Sequence, residues 1–427
     1  MERRRAVRNT VTKNGALGRR HKPDYRLPLY MGLLMLLGLI VMFAIGPQRA
    51  QVMNAAYGTD FTGMYFFGKQ AVSLLVALAV FIAISKTPIS WWKANARVIL
   101  IIGIALSALL ALGGAVGAGF VQCSLGACRW FDLGPFGSLQ PAEFLKLGLL
   151  VFGAGFIAYR ANQGVLNDLY KSLIPLAAIL GVVIVFVIGL QEDMGTGLVM
   201  LAIMASMLVV GGISLRVGAF VFAALILLGA LMIVIAPHRI DRVTTFLQGD
   251  TANVNDAGAY HIAHAKIAIG SGGLGGVGIG NSVQATGYLP EAINDSVFAI
   301  MGETFGFIGL VVVLLIFGAL LMALLKVAGQ LPGMYEKLLV VGVFGWLAAH
   351  VILNVAAMTG IFPLTGITLP LLSFGGTSMV FIAAALGLAF QLSSYTSYQV
   401  VNEGADYENS RSRRGLRRTR HARSSRL

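Results

Sequence analysis

Charge is scarce in this chain. Asp, Glu, Lys and Arg make up 12% of 427 residues, and only 18 of those residues are acidic, against 57% hydrophobic. An ordinary soluble domain carries about twice that charged fraction, so a soluble globular protein is excluded. Cysteine is rarer still, and two residues cannot build a disulfide framework. Cys123 and Cys128 share one connection, where a disulfide across a small loop and a free pair are both open. Six histidines offer little to a metal: His261 and His264 lie three apart, but no third ligand accompanies them. No cleavable signal peptide is visible, because the basic start is long and the first apolar run is as long as a span. Gly270, Gly272 and Gly275 spell a dinucleotide fingerprint without the strand or the acidic residue that its chemistry requires, which excludes that reading.

The positive charge that is present sits at the ends. Of a formal net charge of +14, residues 1–26 supply nine Lys/Arg against two acids and residues 396–427 eight against three, which is +12 from the tails. A nucleic-acid partner is therefore not expected. Two basic tails around an apolar body follow the positive-inside bias, which places both termini in the cytoplasm and requires an even number of spans. Contact of either tail with anionic membrane lipid stays open beside simple anchoring of topology.

Ten apolar runs reach spanning length, near 27–46, 68–85, 98–121, 142–159, 172–190, 194–213, 216–236, 296–325, 338–360 and 376–394. The expectation is an all-α polytopic membrane protein of ten transmembrane helices: a tail over 1–26, a membrane domain over 27–395 and a tail over 396–427. Within it, residues 237–295 form one long extracytoplasmic loop. A short turn around Gly211 to Ser214 should fold the sixth and seventh runs into a hairpin. Seven cations fall on the outer side by this count, and five of them lie around 129–146 and 239–266. Positive charge there runs against the export bias and suits an anionic substrate.

The stretch Gly287 to Gly306, GYLPEAINDSVFAIMGETFG, carries three carboxylates from water back towards lipid. An ionised carboxylate at that boundary is costly unless paired or used. Asp295 meets the conditions for a general base, while a helix cap formed by Asn294 or Asp295 accounts for the same residues. Glu303 reads as a paired core carboxylate and Glu291 as a supporting one. A second cluster, CRWFDLGPFGSLQPAEFLKL, brings Arg129, Trp130, Gln140, Glu143 and Lys146 together. Glu143 and Lys146 share one helix face, so a local ion pair and a phosphate-binding pair of Lys146 with Arg129 both remain open. Gln191 to Thr196 reads as a polar hairpin turn. Lys266 joins the outer cations. The glycine-rich GSGGLGGVGIG offers either a lid or a close approach of backbone. His350 and Asn354 should face the bundle interior, and Phe362 to Ser378, with Ser373, reads as non-helical backbone at membrane depth.

Together these blocks resemble the SEDS family of bacterial shape, elongation, division and sporulation proteins, which includes RodA, FtsW and SpoVE. The resemblance covers about residues 25–395 and rests on the Arg129–Lys146 block, on QEDMGTG, on the loop running into GYLPEAINDSVFAIMGETFG, and on NVAAMTGIFPLTGITLPLLSFGGTS. GNSVQ, YLPEA and ITLP look more like the division-type FtsW. Such a resemblance implies a peptidoglycan glycosyltransferase in the bacterial cytoplasmic membrane. It would polymerise lipid II on the outer face into undecaprenyl-pyrophosphate-linked glycan, beside a class B penicillin-binding transpeptidase. The essential acid of the family maps onto Asp295, and its Trp and Lys onto Trp130 and Lys146; Arg129, Gln140, Glu143, Lys266, Glu291, Asn354 and Ser373 complete the expected substrate site. Departures are Ile293, Asn294 and Ser296 around the acid, Glu192 for the usual Pro, and His261 where Gln is common. The leaving pyrophosphate would be held by Arg129, Lys146 and Lys266 or by a divalent cation, Mg or Mn; no organic cofactor is expected. The alternative is a transporter moving lipid II between leaflets, which would translocate the lipid without lengthening a glycan.

Overall fold

The computed structural model describes residues 10–11, 17–20, 22–124, 127–134, 137–214, 216–221, 223, 244–246, 248 and 257–398. Lipid offers no partner to a backbone N–H or C=O, so the apolar runs close their hydrogen bonds internally as helices. The first six are α1 (Arg26–Tyr57), α2 (Tyr65–Lys86), α3 (Ile89–Ala115), α4 (Pro141–Asn162), α5 (Leu169–Leu190) and α6 (Met194–Gly211). A shorter helix, α7 (Ala257–Ser271), precedes α8 (Val297–Gln330), α9 (Met334–Met358) and α10 (Gly376–Leu392).

Helix ends follow local chemistry. α4 starts with Pro141 in its first turn, where a missing N–H costs nothing. At α6 the Asp193 carboxylate accepts from the N–H of Thr196 at 2.9 Å. Asp168 caps α5 through the N–H groups of Tyr170 and Lys171, and α5 is wound as π turns at both ends, Leu169–Leu173 and Val185–Leu190.

Eight of these helices are long and apolar enough to cross a membrane, and α10, at 17 residues, is a shorter apolar helix. The run expected over 216–236 lies mostly outside the described residues, as do His238, Arg239, Asp241 and Arg242 of the long loop and the tail beyond residue 398. The expected all-α class needs one correction, because two small three-stranded sheets are present. One joins β1 (Thr10–Val11), β2 (Leu17–Arg20) and β6 (Tyr395–Tyr398). The other joins β3 (Val121–Ser124), β4 (Ala127–Asp132) and β5 (Ser138–Leu139). The connection between α3 and α4 holds Val, Trp and Phe at strand-forming positions, and pairing satisfies its backbone. A Cys123–Cys128 disulfide closes this hairpin.

In the membrane, close backbone approach rather than water release brings helices together, and small residues permit it. Gly103 of α3 faces Leu145 of α4, and Gly148 of α4 faces the backbone of Leu100. α9 packs against both α6 and α4, and α10 lies along α2. In the most apolar windows of α4 and α9, 72% of residues are buried, against 17% in α2, so α4 and α9 form the interior and α2 faces lipid. The two ends of the bundle meet: the N–H of Asp24 donates to Ser393 Oγ at 2.9 Å, and Tyr25 and Phe390 stack edge to face.

Candidate functional site

The chain enters α8 through a compact series of turns. Gly287 has φ 113° and Glu291 has φ 49°, and the N–H groups of Asn294 and Ser296 both donate to the carbonyl of Glu291. The Asn294 amide donates to the Glu291 carboxylate, so Glu291 is an exposed brace of the turn rather than a second buried acid. The residue at the N-cap position of α8 is Ser296. Ser296 makes no side-chain cap bond there, and the Asn294 amide is turned to Glu291. Ser296 Oγ donates to the carbonyl of Pro290 at 2.8 Å and accepts from His261 Nε2 at 2.6 Å, which ties α7 to the residue after Asp295.

Asp295 is 9% exposed, at the edge of the buried interior. Its backbone carbonyl accepts from Asn354 Nδ2 of α9 at 2.7 Å, and the same amide nitrogen donates to the carbonyl of Ile367, also at 2.7 Å. Ile367 belongs to the non-helical strap between α9 and α10, which the sequence placed at membrane depth. Gly366 and Leu371 hold positive φ in this strap. Ser373 fastens it from within: its hydroxyl accepts from the N–H of Leu369 at 2.8 Å, and its carbonyl accepts from the buried Gln70 of α2 at 3.3 Å. The N–H of Phe374 donates to the carbonyl of Ile293 at 2.8 Å, so strap and acid-bearing turn are stitched together twice.

One turn from Asn354, His350 reaches the other polar cluster. Its Nδ1 lies 3.1 Å from the carbonyl of Thr368 and its Nε2 lies 3.1 Å from Lys146 Nζ. A carbonyl only accepts and an ammonium only donates, so His350 is the neutral Nδ1–H tautomer. Lys146 also pairs with Glu143 at 2.7 Å and sits 5.0 Å from the Trp346 ring centroid. It is fully buried, so the ion pair expected from the i, i+3 spacing is present within the bundle. Arg129 points elsewhere. Its Nε donates to the carbonyl of Gln191 at 3.1 Å and its Nη2 to that of Glu192 at 2.9 Å, where Glu192 has φ 55°. Gln140 donates to Asp193 Oδ2 at 2.8 Å, and Trp130 is half-buried in β4 opposite Gln122. Arg129 and Gln140 thus hold the polar turn between α5 and α6 against the α3–α4 connection.

Lys266 is exposed on α7, with its Cε stem against Gly360 at the start of the strap. The glycine-rich run shows the close-approach alternative. The N–H groups of Val277 and Gly278 donate to the carbonyls of Glu303 and Thr304, and those of Phe307 and Ile308 donate back to Gly273 and Leu274. This exchange breaks α8 at Gly306, where φ is 67° and ψ is −170°. Glu303, 2% exposed, accepts from Ser282 Oγ at 2.5 Å and from the N–H groups of Val283 and Gln284, as expected for a paired core carboxylate. Sequence reasoning passed over His261 as a satisfied helical histidine and missed Ser296 and Gln70. A hydroxyl directly after the acid was the available signal for Ser296, and nothing local marks Gln70.

Fold and site together define a polytopic helical membrane protein with a carboxylate held where α7, α9 and the non-helical strap converge. The chain belongs to the FtsW, RodA and SpoVE family, described as cell cycle proteins, whose pattern matches residues 25–398. It is 31% identical over 398 residues to a probable peptidoglycan glycosyltransferase FtsW of Nitrosomonas europaea, covering 92% of this chain and 96% of that one. It is 32% identical over 381 residues to stage V sporulation protein E of Bacillus subtilis, covering 88% and 98%. Among solved structures, a chain of a peptidoglycan synthase complex matches with a TM-score of 0.67 at 25% identity, covering 87% of this chain and 97% of that one. RodA of Thermus thermophilus shares the fold with a TM-score of 0.60 at 23% identity, covering 87% and 96%.

Proposed function

We propose that this protein is a peptidoglycan glycosyltransferase that polymerises lipid II on the outer face of the cytoplasmic membrane, with Asp295 as its general base. The observation that carries the role of Asp295 is its placement: a carboxylate at the edge of the buried interior, its backbone carbonyl tied by Asn354 to the strap, and the next residue, Ser296, tied by His261 to α7. A base must be held within hydrogen-bond reach of the proton it takes, and α9, the strap and α7 hold the backbone that carries this one.

In the reaction, Asp295 takes the proton of a sugar hydroxyl on the acceptor while that oxygen attacks the anomeric carbon of the donor. The bond to the undecaprenyl pyrophosphate breaks on the opposite side of that carbon. One displacement by one positioned carboxylate inverts the anomeric centre, as in inverting glycosidases. Negative charge grows on the departing pyrophosphate and calls for cations. Lys266 is the exposed candidate; the buried Lys146 braces α4 against α9, and Arg129 holds the α5–α6 turn. Among the described residues, no three His, Cys, Asp or Glu side chains cluster as metal ligands.

The topology fits this reading. The bond between the N–H of Asp24 and Ser393 Oγ supports an even number of crossings between them. Eight long helices and α10 make nine, and the run over 216–236 would supply the tenth, with both basic tails in the cytoplasm. A class B penicillin-binding transpeptidase is the expected partner, since the chain resembles a component of a peptidoglycan synthase complex. Asp295→Asn in purified protein should abolish glycan formation from lipid II while leaving thermal stability unchanged. Retained polymerisation would sink the assignment.

A further inference from the structure

Two rings of α7, Tyr260 and His264, meet Tyr288 of the 284–296 segment in a stack of three. His264 lies 4.1 Å from Tyr260 between ring centroids, and 6.1 Å from Tyr288 with only 12° between the planes. Tyr288 closes the stack on one side only and is itself 53% exposed. The stack is also held more firmly than a surface aromatic needs. His264 Nδ1 lies 2.7 Å from the side-chain oxygen of Gln284 and donates to it. The N–H of Gln284 in turn donates to the buried Glu303 carboxylate, and its carbonyl accepts from the N–H of Leu289 at 2.9 Å. His261, on the same helix, bonds Ser296 next to the acid. Stack and Asp295 therefore share one rigid frame, with Tyr288 seven residues before the acid in the same turn system.

The geometry points to a saccharide subsite in which the Tyr260, His264 and Tyr288 stack receives the C–H face of a pyranose ring of the acceptor glycan. This rests on the glycosyltransferase reading and assigns it a place for the acceptor sugar. Aromatic faces are electron-rich, and the axial C–H groups of a pyranose carry the complementary positive polarity. The Tyr288 hydroxyl and His264 Nε2 provide a donor and an acceptor for the hydroxyls at the ring edge. A tyrosine serving only as an interfacial membrane anchor is the competing explanation, because tyrosines gather at that depth. Such an anchor has no need of a histidine beneath it fixed through Gln284 and Glu303.

The test uses the full chain in lipid nanodiscs and, as probe, the water-soluble lipid-free disaccharide–pentapeptide, with binding read by saturation-transfer NMR and by calorimetry. Wild type binds the probe, Tyr288→Ala weakens it roughly three- to tenfold, the scale of one aromatic contact, and Tyr288→Phe, which keeps the ring and loses only the hydroxyl bond, weakens it less than Tyr288→Ala. In lipid II polymerisation the Ala variant raises KM with kcat little changed. Equal affinity of Tyr288→Ala and wild type overturns the subsite, as does a wild type that fails to bind the probe at millimolar concentration. A Tyr288→Ala variant that loses thermal stability in the nanodisc without losing affinity identifies the ring as an anchor and overturns it too. Asp295→Asn in the same preparation should bind the probe and form no polymer. Polymer from that variant would remove the function proposed for Asp295 while leaving the binding result to stand by itself.

Discussion

Asn354 donates from one amide nitrogen to the backbone carbonyls of Asp295 and Ile367, at 2.7 Å each. That nitrogen is the joint between the acid-bearing turn and the re-entrant strap, and Asn354 is 1% exposed, so no water replaces it. Asn354→Ala leaves two buried carbonyls short of a donor at about 1–3 kcal/mol each. We expect a protein that still reaches the membrane but polymerises lipid II roughly tenfold or more slowly, since small misplacement of a base is costly. Asn354→Asp should be worse, because its carboxylate sets an acceptor against two acceptors. Polymerisation rates of the two variants, compared at matched folded concentration, check the order.

Lys146 and Glu143 invite a different comparison. Their pair is buried, and removing one partner strands the other charge, which costs about 3–5 kcal/mol in such settings. Lys146→Met alone should therefore lower thermal stability strongly. Adding Glu143→Gln should recover much of it, because the stranded carboxylate is gone. If the double variant folds and polymerises like wild type, the pair serves packing alone. Activity that stays lost in a stable double variant marks the pair, with His350 behind it, as part of the substrate cavity.

How much of this was legible beforehand depended on distance along the chain. The Glu143–Lys146 pair is a helix-spacing fact, and the polar turn at Gln191 to Thr196 was readable from its own residues. The non-helical strap was visible as glycine and proline at membrane depth. What stayed hidden were the long-range bonds. Gln70 supports Ser373 across 303 residues, and nothing near Gln70 points there. Arg129 looked like an anion ligand because its charge is local information, whereas the two carbonyls it serves lie over 60 residues away. The small sheet with the Cys123–Cys128 disulfide was masked by the strongly helical composition on either side. For Asp295, cap and base call on the same local chemistry, so its own neighbours in sequence could not separate them.

The glycine-rich run makes a sharp contrast possible. A Cβ at Gly272 would fall on the carbonyl of Gly302, and one at Gly276, which has φ 81°, would fall on that of Thr304, whereas a Cβ at Gly270 meets nothing within 4 Å. The neighbours at the first two positions are backbone and cannot swing aside. Gly272→Ala and Gly276→Ala should each reduce folded protein recovered in detergent and lower the melting temperature by several degrees, on the scale of a strained backbone costing about 1–3 kcal/mol. Gly270→Ala, an exposed helical position, should be neutral or slightly stabilising. Equal behaviour of the three would show that the run is loose, as a lid would be.

Arg129 separates charge from geometry. Its guanidinium reaches two adjacent carbonyls at once, a fork that a lysine cannot reproduce while keeping the same charge. Were Arg129 needed only as positive charge near a pyrophosphate, Arg129→Lys would retain most of the polymerisation rate. The observed clamp predicts otherwise. Arg129→Lys should resemble Arg129→Gln, both loosening the turn at Glu192, where φ is 55°. Limited proteolysis of the α5–α6 turn should then rise in step with the fall in lipid II polymerisation. A Lys variant that keeps wild-type rate and wild-type protection would return Arg129 to the role of an electrostatic ligand.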